Sequence, residues 1–195
     1  MKKISYVFIV ALAALAIGGC NSTPKDSTQS ADSLNKTKDT TTNVAATGGI
    51  AATSDDAKFA TKAADGGMAE VALGKLALSK TTNPQIKDFA QMMVRDHSKA
   101  NAELDSIAKV KNITLPVAVS AEHQKKMDEL SQKTGADFDK AYVDAMVEGH
   151  KKTLTLMQDE AKNGKDADLT AFASKTAVIV QMHLDAINKI HNSMK

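Results

Sequence analysis

The chain has 195 residues, 25 basic and 23 acidic side chains, one cysteine and no tryptophan. One cysteine excludes an internal disulfide framework and a four-cysteine zinc site. A net charge of +2, a single arginine (Arg95) and 4% aromatics exclude the basic, base-stacking surface of a nucleic-acid binder.

Residues 1–19 read as a targeting segment. Lys2 and Lys3 precede an apolar run from Ile4 to Ile17, too short to span a membrane comfortably as a mature helix. The run ends in Ile17-Gly18-Gly19-Cys20, small residues followed by the only cysteine. This resembles a bacterial lipoprotein signal, with Cys20 lipidated and forming the new N-terminus. Such a chain is exported and held at a membrane through its N-terminal lipid. Asn21 after the cysteine, rather than aspartate, favours the outer membrane of a Gram-negative cell, with the domain in the periplasm. Without Lys2 and Lys3 the mature chain has 23 basic residues, equal to the acidic ones.

Residues 20–53 are rich in Thr, Ser, Asn, Asp, Lys and Ala, and their few large apolar residues follow no period. Such a stretch buries too little apolar surface to offset its ordering entropy, so it is expected to be a disordered tether. From Ser54 the composition changes to helical periodicity, and strand signals are absent. Long helices are predicted at 55–80, 84–111, 136–163 and 167–194, with a shorter one near 120–133. Asn83-Pro84 is a start signal, with proline at the first helical position. Ser120 followed by Glu122 opens the short helix, and Asp166 or Asp168 caps the last. Gly135 and Asn163-Gly164 are stop signals. Residues 54–195 are therefore expected to form one all-α domain. Four helices of similar length, with a short extra helix in the long middle connection, are the inventory of a four-helix bundle.

Three of the apolar stripes are interrupted by histidine. His97 falls among Ile86, Phe89, Ala90, Met93, Ala100, Leu104 and Ile107. His150 falls among Val143, Val147, Leu154, Met157 and Ala161, and His183 among Leu169, Phe172, Ile179, Val180, Ile187 and Ile190. Each histidine lies near the middle of its helix, so in a bundle of equal helices the three meet at mid-height. Glu70 holds the same level on the first helix and shares a face with Phe59, Ala63 and Ala77. Phe89 through His97 and Tyr142 through His150 form a weak internal repeat, with an aromatic, Met, Val and His at matching positions. Arg95 and Glu148 lie on the far sides of their helices and are expected to face solvent. Asp96 lies about 100° from His97, placed at most to support the centre. His123 and His191 read as surface residues.

Imidazoles and a carboxylate at one level are the ingredients of a metal site. His97, His150, His183 and Glu70 are the candidate ligands, for one transition metal ion such as Zn, Fe or Cu. Met93 and Met146, one turn before their histidines, add a thioether option that suits copper. The alternative is a polar network satisfied internally, in a structural or protein-interaction module without metal. No G-x-G-x-x-G, P-loop or H-E-x-x-H occurs, and no activated serine is placed beside a histidine, so the chain is read as a binding protein rather than an enzyme. The sequence names no protein partner.

Four segments carry a family resemblance. They are Phe59 through Gly74, Phe89 through Asn101, Met146-Val-Glu-Gly-His150, and His183-Leu-Asp-Ala. On them the chain resembles the bacterial DUF4142 family, of unknown function. The resemblance implies a secreted or membrane-tethered bundle similar to ferritin-like proteins, and no established activity. Ferritin-like di-iron proteins carry Glu-x-x-His on two helices. Here Val94, Val147 and Val180 stand three residues before the histidines, so a carboxylate-bridged di-iron site is not expected.

Overall fold

A computed structural model describes residues 26–38 and 52–194. The leader with Cys20 lies outside these residues. All the described elements are helices: α1 (Ser27–Lys38), α2 (Ser54–Lys80), α3 (Pro84–Val110), α4 (Ala121–Ser131), α5 (Gly135–Asn163) and α6 (Ala167–Ser193). None is long and apolar enough to cross a membrane.

The ends of the helices follow local chemistry. Thr53 and Asp56 form a reciprocal capping box at the start of α2. Asn83 accepts from the amides of Gln85 and Ile86, with Pro84 at the position where a missing N–H costs nothing. Ser120 caps α4 and Asp166 caps α6. Gly135 differs from the expected stop signal. It is the first residue of α5, with φ +55°, and makes the left-handed junction after α4. Gly164 ends α5 at φ −57°, so its role is space. A Cβ there would stand 2.7 Å from the Glu160 carbonyl oxygen.

The four long helices pack in a closed circuit. α2 lies along α3 and α5 along α6, while α3 meets α6 and α2 meets α5. The connections within the α2–α3 and α5–α6 pairs are short, which makes those neighbours antiparallel. α2 approaches α3 closely through its glycines. A Cβ on Gly74 would meet Val94 Cγ2 at 2.9 Å and the Ala90 carbonyl oxygen at 3.1 Å.

The apolar interior divides into two clusters. One holds Leu73, Ile86, Phe89, Met93, Phe138, Tyr142, Met146 and Ile187. The other holds Phe59, Ala60, Leu104, Met157, Leu169 and Phe172. On every long helix the boundary between them falls at the polar residue: Glu70, His97, His150 or His183. A single polar layer thus crosses the core at mid-height.

The segment expected to be a disordered tether contains a docked helix. α1 packs on α2, and its Asn35 is buried. The Asn35 amide donates to the Thr114 carbonyl at 2.9 Å and its oxygen accepts from the Thr114 N–H at 2.7 Å. Asp26 accepts from the Ala121 N–H, and Ser27 accepts from the amides of Val117 and Ala118. α1 therefore straps the long connection between α3 and α4. Side-chain hydrogen bonds to open backbone hold it, which is why no hydrophobic period marks it in the sequence.

A buried candidate metal centre

The centre draws one side chain from each long helix. Glu70 comes from α2, His97 from α3, His150 from α5 and His183 from α6. His150 and His183 are fully buried, and Glu70 and His97 are 5% exposed. One nitrogen from each histidine lies within 4.8 Å of the others. The ring centroids are 5.2 Å apart for His97 and His183, 5.6 Å for His150 and His183, and 5.9 Å for His97 and His150. Phe89 covers the cluster, with its ring 5.9 Å from His150 and 6.5 Å from His183.

The internal repeat is visible in the packing. α3 and α5 face each other across the diagonal. Phe89 meets Tyr142 edge to face at 6.5 Å, as His97 meets His150 two turns further on. Met93 and Met146 are buried in the apolar cluster. Arg95 and Glu148 are exposed, as their helical phase requires.

Outer hydrogen bonds determine which nitrogen two of the imidazoles turn inward. His150 Nδ1–H donates to the Met146 carbonyl at 2.8 Å. A carbonyl only accepts, so Nδ1 carries a proton, and in the neutral ring the lone pair is on Nε2. His183 Nε2–H donates to Asp96 Oδ2 at 3.0 Å, leaving the lone pair on Nδ1. His97 Nε2 lies 2.6 Å from Glu70 Oε2. That contact is an ion pair rather than an aligned hydrogen bond, and the same Oε2 lies 3.8 Å from His150 Nε2. At this centre four buried atoms make no aligned hydrogen bond: Glu70 Oε2 and His97 Nε2, which face each other as an ion pair, and His150 Nε2 and His183 Nδ1.

The electrostatics favour an ionised carboxylate at Glu70 and a neutral ring at His183. Burial pushes the Glu70 carboxyl up, but the neighbouring His97 and His150 outweigh it and hold the pKa at about 2. Burial pushes His183 down to about 4, against the opposing pull of Asp96. The ion pairs of Glu70 among the described residues are with imidazoles: His97, and His150 at 3.8 Å. Glu70 Oε1 accepts from the Thr153 hydroxyl at 3.4 Å.

The sequence placed all four residues of this centre and did not assign Asp96 a partner. Its phase on α3, one residue before His97, was the available signal. His123 differs from the expected surface residue. It is half-buried, and its Nδ1 lies 2.9 Å from Asp65 Oδ2. Asp65 also accepts from the Ser120 N–H at 2.7 Å, so this pair fixes the start of α4. Ser120 Oγ and Asp65 Oδ2 both approach His123 Nδ1, which is not the relay arrangement of a nucleophilic serine. His191 is partly exposed and pairs with Asp144.

Fold and site together define an all-helical protein with a buried histidine–carboxylate centre. The chain belongs to the family described as Domain of unknown function (DUF4142), whose profile matches residues 25–190. A comparison with curated proteins finds no match. Two solved structures share the fold. One is a DUF305 fragment from Deinococcus radiodurans, at 10% identity and a TM-score of 0.66, covering 73% of this chain and 98% of that one. The other is CopM in its Cu(II)-bound form, at 14% identity and a TM-score of 0.62, covering 72% of this chain and 97% of that one.

Proposed function

We propose that this protein is a lipid-anchored cell-envelope protein, built as a ferritin-like four-helix bundle, that binds one transition metal ion at mid-bundle. His97, His150, His183 and Glu70 are the ligands. The observation that carries the reading is the set of four convergent buried atoms without an aligned hydrogen bond. Each unsatisfied buried polar atom costs about 1–3 kcal/mol. Bound to one ion, all four are satisfied at once. Three neutral imidazoles and one carboxylate suit Zn(II), Fe(II) or Cu(II).

The competing reading is a structural module whose polar core satisfies itself. The outer bonds from Met146 and Asp96 favour it, because they fix two of the rings without metal. The Glu70–His97 ion pair favours it as well, and the inward nitrogens of His150 and His183 weigh against it, because they make no hydrogen bond. The similarity to a Cu(II)-bound structure agrees with a metal-binding role and carries the fold alone. Export and anchoring rest on the leader and Cys20. The fold is read as a binding protein with no catalytic step.

Elemental analysis of the purified chain, beside the His97→Ala/His150→Ala/His183→Ala variant, tests the reading. The expected result is close to one metal ion per wild-type chain and none in the variant. At about a hundredfold excess of ion over its dissociation constant, the melting temperature should rise by roughly 5–10 °C in the wild type only. A metal-independent melting temperature in the wild type would support the structural module.

A further inference from the structure

The centre reaches solvent through a chain of two residues. Arg95, the only arginine in the sequence, grips Asp96 with both arms of its fork. Nε lies 2.7 Å from Oδ1 and Nη2 lies 3.0 Å from Oδ2. Asp96 Oδ2 in turn accepts from His183 Nε2 at 3.0 Å, across the α3–α6 seam. On its outer side Asp96 lines an open cavity of about 230 Å³, with Thr176 and Met182. Inside, His183 is fully buried and its Nδ1 has no partner.

Resting on the metal-binding reading above, we infer that Asp96, held by Arg95, is a positioning residue. It fixes His183 in the tautomer that presents Nδ1 to the ion. A carboxylate can only accept, so while it faces Nε2 the ring keeps its proton there. The lone pair is then on Nδ1, the edge turned toward His97 and His150. A neutral histidine without this contact is free to place its proton on Nδ1, where it would point at the other imidazoles and block coordination. A carboxylate bonded to the far nitrogen also makes the ligating nitrogen more basic and fixes the plane of the ring.

α3 thereby serves the centre twice. His97 enters it directly, and Asp96 reaches across to orient the ligand of α6. The equivalent support for His150 comes from its own helix, through the Met146 carbonyl. The coordination mode that follows is mixed: Nε2 from His97 and His150, Nδ1 from His183, and Oε2 from Glu70.

The test compares the full-length wild type with D96N and R95A, using Zn(II) as the probe. Affinity is read by competition with a chromophoric chelator. Long-range proton–nitrogen NMR of the metal-free protein reads the His183 tautomer. The expected results are an Nε2–H tautomer in the wild type and a loss of Zn(II) affinity of about 10–100-fold in D96N. R95A, which leaves the carboxylate in place, should lose no more than about tenfold. If D96N does not fold, the wild-type tautomer still decides, because a proton on His183 Nδ1 overturns the inference. Equal Zn(II) affinity in wild type and D96N overturns it while leaving the metal reading intact. A wild type that takes up no Zn(II) overturns both.

Discussion

Glu70 Oε2 and His97 Nε2 approach to 2.6 Å inside the core, out of hydrogen-bond alignment. The pair joins α2 to α3 at the level where the two apolar clusters separate. Among the described residues, Glu70 supplies the carboxylate oxygen that joins the three inward-facing nitrogens. Glu70→Gln keeps the shape and removes the charge. The variant should fold and lose metal uptake by at least about tenfold, since a neutral amide is a poor ligand for a divalent ion. Metal content and thermal melting of the two proteins check this.

Gly74 is required by the contact between α2 and α3. A Cβ would meet the Ala90 carbonyl oxygen, which cannot swing away as a side chain end can. Gly74→Ala should therefore destabilise by about 1–3 kcal/mol, despite the better helix propensity of alanine. Urea unfolding measures the difference. Gly66→Ala, with nothing within 4 Å of the added carbon, is the control and should be neutral or stabilising.

Asn35 tests whether α1 is part of the fold. Its side chain replaces a missing backbone partner for both polar groups of Thr114. Asn35→Ala leaves those groups unpaired and should cost about 1–3 kcal/mol. Hydrogen exchange at the Thr114 amide should accelerate at the same time. An unchanged exchange rate would return residues 27–38 to the tether.

The far end of the bundle carries a pH dependence of known sign. Burial pushes the Glu160 carboxyl up to about 7, and the Asp56 and Asp166 carboxylates add to the rise. The unfolded chain releases that proton near the ordinary value of 4.5. Between the two values the folded state binds the extra proton, so stability is fully present below 4.5 and is lost as pH rises through about 7. Asp56 is shifted down and acts with the opposite sign, below this window. Glu160→Gln cannot ionise, so its melting temperature should decline less than the wild type's between about pH 5 and about pH 8. Melting curves at the two pH values check it, and equal declines would refute the assignment.

The histidine layer was legible in the sequence for a definite reason. Each of His97, His150 and His183 breaks a strong apolar period, so the fault in the pattern marks the site. Glu70 was legible through its helical phase alone. Asp96 was not given a partner, because the contact to His183 spans two helices and depends on how they are offset. His123 was misplaced for the same reason: Asp65 reaches it from α2, which no local pattern encodes. α1 was missed because polar contacts to the 112–121 connection hold it, and composition reports only apolar burial.

In the proposed metal-bound protein, Glu70 Oε2, His97 Nε2, His150 Nε2 and His183 Nδ1 form one coordination sphere. X-ray absorption at the zinc edge of the Zn(II)-loaded chain reads that sphere. Three imidazole nitrogens and one carboxylate oxygen are expected at about 2.0–2.2 Å, in a four-coordinate shell. That shell should lose one imidazole in His150→Ala. An oxygen-dominated shell unchanged in His150→Ala would place the ion on the surface and rule out a mid-bundle site.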